Sequence, residues 1–119
     1  MNKPTRTYDQ FEIVKVPFPF SDLNSSKIRP ALVLTSAKGF NAKIGLSVMA
    51  MITSSKADRN FWPGDVAIEN FEAAGLPVPS IVRMKLFTLD HRIIIDRLGS
   101  LSSADRSKVQ EKLKEIFCL

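Results

Sequence analysis

The stretch Phe11-Glu12-Ile13-Val14-Lys15-Val16-Pro17-Phe18-Pro19-Phe20 decides how the rest of the chain is read. Val14, Val16, Phe18 and Phe20 fall on one face at period two, with Lys15, Pro17 and Pro19 on the other. That alternation predicts a strand. Prolines at alternate positions remove ladder donors, so the end of this strand lies at a sheet edge or runs off the sheet. Ser21 to Lys27 is polar and turn-prone and leads out of it. Pro30 to Ser36 is apolar and partly β-branched, a second strand. Ala37 to Lys43, with Gly39 and Asn41, reads as a connection.

Further along, Ile44 to Thr53 alternates again, with Ile44, Leu46, Val48, Ala50 and Ile52 on one face. Ser54 to Gly64 is a polar loop closing on Phe61-Trp62-Pro63-Gly64. Asp65 to Glu69 is a short strand, and Phe71 to Gly75 one helical turn stopped by Gly75 and Pro77. Ser80 to Leu86 and Arg92 to Leu98 are further strands. Ser102 to Phe117 is the one long helix, with Ser102 as N-cap and Asp105 as its acidic partner. Val109, Leu113, Ile116 and Phe117 mark its buried face. Short strands followed by one terminal helix predict a mainly β fold, a small, partly closed antiparallel barrel. Residues 1–8 are expected to be a tail and 9–119 a single domain.

Composition narrows the function. The chain has 119 residues and a net charge of +5, with a pI near 9.6. Up to Asp22 the charges cancel, and from Asp58 to Leu119 they cancel again. Lys27, Arg29, Lys38, Lys43 and Lys56 lie between Leu23 and Ala57 without a single acid. That locates the whole excess in one segment, expected to form a positive groove for a polyanion. Cys118 is the only cysteine, so no internal disulfide exists, and no Cys/His spacing resembles a zinc site. The residues fit a reducing, cytoplasmic compartment. Met1 to Arg6 has no apolar signal region, and Ile44 to Ile52 is too short to span a bilayer. Phosphate-loop, dinucleotide and zinc-protease motifs are absent. His91, the only histidine, reads as a surface residue, and Cys118 as a small buried hydrophobe.

Val16-Pro17-Phe18-Pro19-Phe20-Ser21-Asp22-Leu23, followed by Lys27-Ile28-Arg29-Pro30-Ala31-Leu32-Val33-Leu34, resembles the start of the MazF/PemK (CcdB-like) toxins of bacterial toxin–antitoxin systems. Ala50-Met51-Ile52-Thr53-Ser54, Gly64-Asp65-Val66, Ala74-Gly75-Leu76 through Pro79-Ser80-Ile81-Val82, Phe87-Thr88-Leu89-Asp90 and Arg97-Leu98-Gly99-Ser100-Leu101-Ser102 continue the likeness in order. The resemblance implies an SH3-like barrel with a C-terminal helix, a homodimer, and metal-independent cleavage of single-stranded RNA at short sequences. It implies control by an acidic antitoxin. It places the family's catalytic arginine on Arg29 and its catalytic threonine on Thr53. The sequence also departs from the pattern. Phe11-Glu12 stands where many members carry Gly-Asp or Gly-Glu, and Asn24-Ser25-Ser26 replaces a glycine-rich loop. Phe87 replaces an arginine. Arg83 matches an arginine that some members use, but Met84-Lys85 supplies no acid beside it.

Cleavage of RNA needs little from the protein beyond charge and geometry. The 2′-OH attacks the neighbouring phosphate through a crowded, negatively charged intermediate and expels the 5′-oxygen, with no metal or other cofactor required. DNA lacks that hydroxyl. Arg29 suits charge stabilisation through its planar guanidinium, and Thr53 can place a phosphate oxygen. The RNA-binding candidates are Phe20, Asn24, Lys27, Ser54, Lys56, Arg59, Trp62 and Lys85, of which the lysines are phosphate contacts. Phe20, Phe61 and Trp62 are candidate stacking surfaces for bases, with barrel packing the alternative for Phe20 and Trp62. Asp22 is a candidate acid or base, or a turn cap. The competing reading is a non-catalytic, CcdB-like binding protein that inhibits gyrase or only binds RNA or antitoxin. Expected partners are single-stranded RNA, a cognate acidic antitoxin and a second copy of the chain, and no membrane.

Overall fold

Phe11 enters the first strand at φ 69°, a left-handed backbone that glycine adopts easily and a phenylalanine does not. Burial of its ring offsets that strain. It is buried in the main core, with the Arg106 guanidinium 5.8 Å from the ring centroid. The Phe11 N–H donates to the Val33 carbonyl at 2.7 Å, and its carbonyl accepts from the Leu101 N–H at 3.0 Å.

The computed structural model describes residues 6–17, 27–56 and 60–119. Their strands are β1 (Glu12–Pro17), β2 (Ile28–Val33), β3 (Leu46–Ser54), β4 (Val66–Ala67), β5 (Ser80–Asp90) and β6 (Asp96–Ser100). They form one sheet in the order β4-β5-β3-β2-β1-β6, and every described pairing is antiparallel. The sheet curls into a partly closed barrel, as the alternation and the single terminal helix predict.

β3 is buried on both sides, which is why its apolar run is nearly continuous. Ala50 and Ile52 point into one cluster with Ile13, Leu32, Val66 and Val82, beneath Val109 and Leu113 of the terminal helix α2 (Ser103–Phe117). Met49 points the other way, into a second cluster with Tyr8, Val14, Val16, Ala31, Val33 and Phe87. Two residues of β5, Met84 and Lys85, bulge out between the pairs Met51↔Arg83 and Ala50↔Leu86. The N-cap holds: Ser102 Oγ accepts from the Asp105 N–H at 3.3 Å. Buried Asp105 also accepts from the N–H groups of Glu69 and Asn70, both at 3.0 Å, and so ties the helix to the segment after β4.

Several expectations are corrected. Ala37 to Lys43 is not a plain connection but a π-helical turn (Ala37–Asn41) running into α1 (Ala42–Ile44), so Ile44 precedes β3 instead of starting it. Ile116 and Phe117 are 43% and 52% exposed, so the last turn of the helix is only partly covered. Cys118 is exposed and forms the left-handed C-cap of α2. His91 is buried, not at the surface.

His91 Nε2 lies 2.5 Å from the Ser47 hydroxyl, and the ring of Tyr8 meets the imidazole edge-on at 5.5 Å. Burial lowers the pKa of His91 below its ordinary value, with partial opposition from Asp90 and from the Arg6 backbone. The folded chain therefore binds fewer protons here than the unfolded one. Stability from this site is complete above the unfolded value of about 6.5 and is lost as pH falls through and below it. Denaturant unfolding at about pH 7.5 and about pH 5.5 is expected to show the loss, and His91→Phe to flatten it. An unchanged slope in the variant would overturn this assignment.

Candidate active site

β2 starts and β3 ends at the same end of the sheet because they run antiparallel. Their pairs are Ala31↔Met51, Leu32↔Ala50 and Val33↔Met49. The described ladder ends at Ala31↔Met51, so Arg29 and Thr53 each lie two residues beyond it, at the same end of the sheet. Leu32, Ala50 and Ile52 face the main core, so Arg29 and Thr53 share the opposite face. Arg29 is half-buried, and Thr53 is buried.

Arg29 also borders a cleft of about 380 Å³ at the open end of the main core. Ile28, Pro30, Ile52, Leu76 and Val78 make its walls apolar, and Lys15, Ser54 and Ser80 add polar groups. Ser54 Oγ accepts from the Lys56 N–H at 3.2 Å, which orders the turn leaving β3.

Arg83 has no acid beside it in the sequence, where Met84-Lys85 follows. The acid is Asp65, which precedes β4. The pairs Val66↔Val82 and Ala67↔Ile81, carried back one residue, set Asp65 opposite Arg83. Arg83 Nε donates to Asp65 Oδ1 at 3.2 Å and Nη2 to Oδ2 at 2.9 Å, both partners almost wholly buried. Arg83 Nη2 also donates to the Asn60 carbonyl at 2.8 Å, and its guanidinium lies 4.5 Å from the centroid of Trp62. Gly64-Asp65-Val66 was visible as a motif, but only strand pairing reveals which cation its carboxylate meets.

The positive groove is only partly formed. Lys27, Arg29 and Lys56 gather at this end, whereas Lys38 and Lys43 sit in the helical connection at the far end of β2 and β3. Lys15 joins the near group from a segment that is neutral overall. Lys85 lies in the bulge of β5, on the strand that carries Arg83. Trp62 is 47% exposed and Phe61 64%, so neither is barrel packing. Phe20, Asn24, Arg59 and Asp22 lie outside the described residues. His91 follows the far end of β5, opposite the end that holds Ile81 and Thr53, which separates its imidazole from Arg29 and Thr53.

Known proteins share the family and the fold of this chain. Residues 9–117 match the family model described as the PemK-like, MazF-like toxin of type II toxin–antitoxin systems. No curated protein matches the sequence. Among solved structures, MazF from Deinococcus radiodurans is 25% identical, with 96% of this chain and 99% of that one covered at a TM-score of 0.73. A MazE–MazF crystal structure from the same organism is 21% identical, with coverages of 96% and 99% and a TM-score of 0.74. An endoribonuclease in complex with its cognate antitoxin, from a mycobacterial species, is 18% identical, with coverages of 94% and 96% and a TM-score of 0.70. The last two show the shared fold.

Proposed function

Since this chain belongs to the PemK-like, MazF-like toxin family of type II toxin–antitoxin systems, we infer that it is a sequence-specific endoribonuclease acting on single-stranded RNA. The observation that supports this reading is that β2 begins and β3 ends at the same end of the sheet, which brings Arg29 and Thr53 to that end, within a chain matched over nearly its whole length. Arg29 donates two N–H groups to the phosphate oxygens and stabilises the charge gained when the 2′-oxygen attacks phosphorus. Thr53 holds a phosphate oxygen through its hydroxyl. The P–O5′ bond then breaks, leaving a 2′,3′-cyclic phosphate and a 5′-hydroxyl. The 2′-OH proton is lost and the 5′-oxygen gains one. Neither transfer needs a metal ion.

Lys15, Lys27 and Lys56 supply the salt-dependent part of RNA affinity. A cognate antitoxin with an acidic segment competes for the same end of the sheet. The functional unit is a homodimer in the cytoplasm. No helix among the described residues is long and apolar enough to cross a membrane.

Purified protein incubated with single-stranded RNA in EDTA is expected to cut it and leave 2′,3′-cyclic ends. Cleavage that stops in EDTA and returns with a divalent cation would overturn the metal-independent route. A protein that cuts no RNA but inhibits gyrase supercoiling would establish the binding-protein reading instead.

A further inference from the structure

Trp62 and Phe61 are large exposed aromatics in the loop before β4, and that loop is held with unusual economy. The Trp62 N–H donates to Asp65 Oδ2 at 2.8 Å, and the Asp65 N–H donates back to the Trp62 carbonyl at 3.0 Å. Arg83 binds the same carboxylate and the Asn60 carbonyl while its guanidinium covers one face of the indole. A buried ion pair is kept only when its hydrogen bonds are satisfied, and these bonds all converge on one loop. They hold an aromatic ring half out of the protein.

We propose that Trp62 is the stacking platform for one unpaired base of the RNA, and that Arg83, neutralised by Asp65, is the residue that positions it. Because Met51 pairs with Arg83, and Thr53 lies two residues further on β3, the platform's anchor is about 7 Å along the strand from Thr53, on the same face. The ring is held beyond that anchor, on the β4 side, so the base it takes is one flanking the cleaved phosphate on that side. Stacking tolerates any base, since each has a π-face, so the platform supplies grip more than sequence choice. Arg83 is then a positioning residue and not a second catalytic cation, because its fork is already filled by a carboxylate. This inference rests on the ribonuclease reading.

The chain contains one tryptophan, so its fluorescence reports Trp62 alone. Oligo(U), oligo(A) and oligo(C) with 2′-O-methyl riboses, which cannot be cut, are titrated while emission is followed. At least one is expected to quench it. Trp62→Ala, at an exposed position, is expected to weaken binding by about 5- to 150-fold. With cleavable RNA, Trp62→Ala and Arg83→Lys are expected to raise KM with kcat kept, and the double variant to lose no more than the worse single one. A fall in kcat at unchanged KM in Arg83→Lys would make Arg83 catalytic and overturn its positioning role. Wild-type cleavage with Trp62→Ala indistinguishable in KM and binding would overturn the platform while the ribonuclease reading stands. A wild type that neither binds nor cuts RNA overturns both. Quenching of Trp62 by an acidic antitoxin peptide but by none of the oligonucleotides would assign the ring to a protein interface.

Discussion

Arg29→Ala is expected to lower kcat for RNA cleavage by about 100- to 1,000-fold, the loss seen when a single preorganised donor to a developing oxyanion is removed. The reason lies in position and chemistry. Arg29 stands near the start of β2, half-buried, on the face it shares with Thr53. A low-dielectric flank strengthens its interaction with phosphate, and a planar fork can meet two oxygens at once. Arg29→Lys keeps the charge and loses the fork, so it should fall between wild type and alanine. Thr53→Val, which removes the hydroxyl and keeps the shape, is expected to slow the same step by a smaller factor. Single-turnover cleavage of one RNA by the three variants, with thermal unfolding alongside, separates chemistry from folding. Unchanged single-turnover rates in Arg29→Ala would remove this residue from the mechanism.

Gly75→Ala is expected to destabilise the fold by about 2–5 kcal/mol, a large part of the roughly 5–15 kcal/mol that such a domain has. Two effects add. Gly75 has φ +81°, where any Cβ is strained, and a Cβ there would lie 2.1 Å from the Leu98 carbonyl oxygen. That oxygen belongs to the backbone of β6, so no rotamer change relieves the clash. Gly99 answers from the other side, since a Cβ on it would lie 2.4 Å from the Ala74 carbonyl oxygen. The two backbones cross at van der Waals distance, and the crossing delivers Leu76 and Val78 to the cleft beside Arg29. A drop in unfolding midpoint on the order of 10 °C or more is the expected reading. Cleavage per folded molecule should fall as well, through displaced cleft walls. A variant as stable as wild type would show that the crossing can open without cost.

Much of this was legible in the chain itself. Period-two alternation in β1 and β3, the Ser102 cap and the single terminal helix follow from local rules that act within a few residues. The pair Arg29 and Thr53 was legible through the family likeness, and the antiparallel run of β2 and β3 puts both at one end of the sheet. The failures share one cause. Ile116 and Phe117 continue the apolar stripe of α2, but the stripe does not reveal how much of it the rest of the fold covers. His91 and Cys118 were judged from their neighbours in sequence, whereas burial depends on what folds over them.

By itself the sequence determined a curled antiparallel sheet with one helix and an excess of positive charge in a single segment, because alternation, caps and charge counts are local properties. Only the tertiary structure decided that the charges of this segment part to opposite ends of the sheet. Only it decided that Arg83 meets Asp65, 18 residues away, and stands behind Trp62. Such pairings are set by register between strands distant in sequence, and register is a property of the folded sheet.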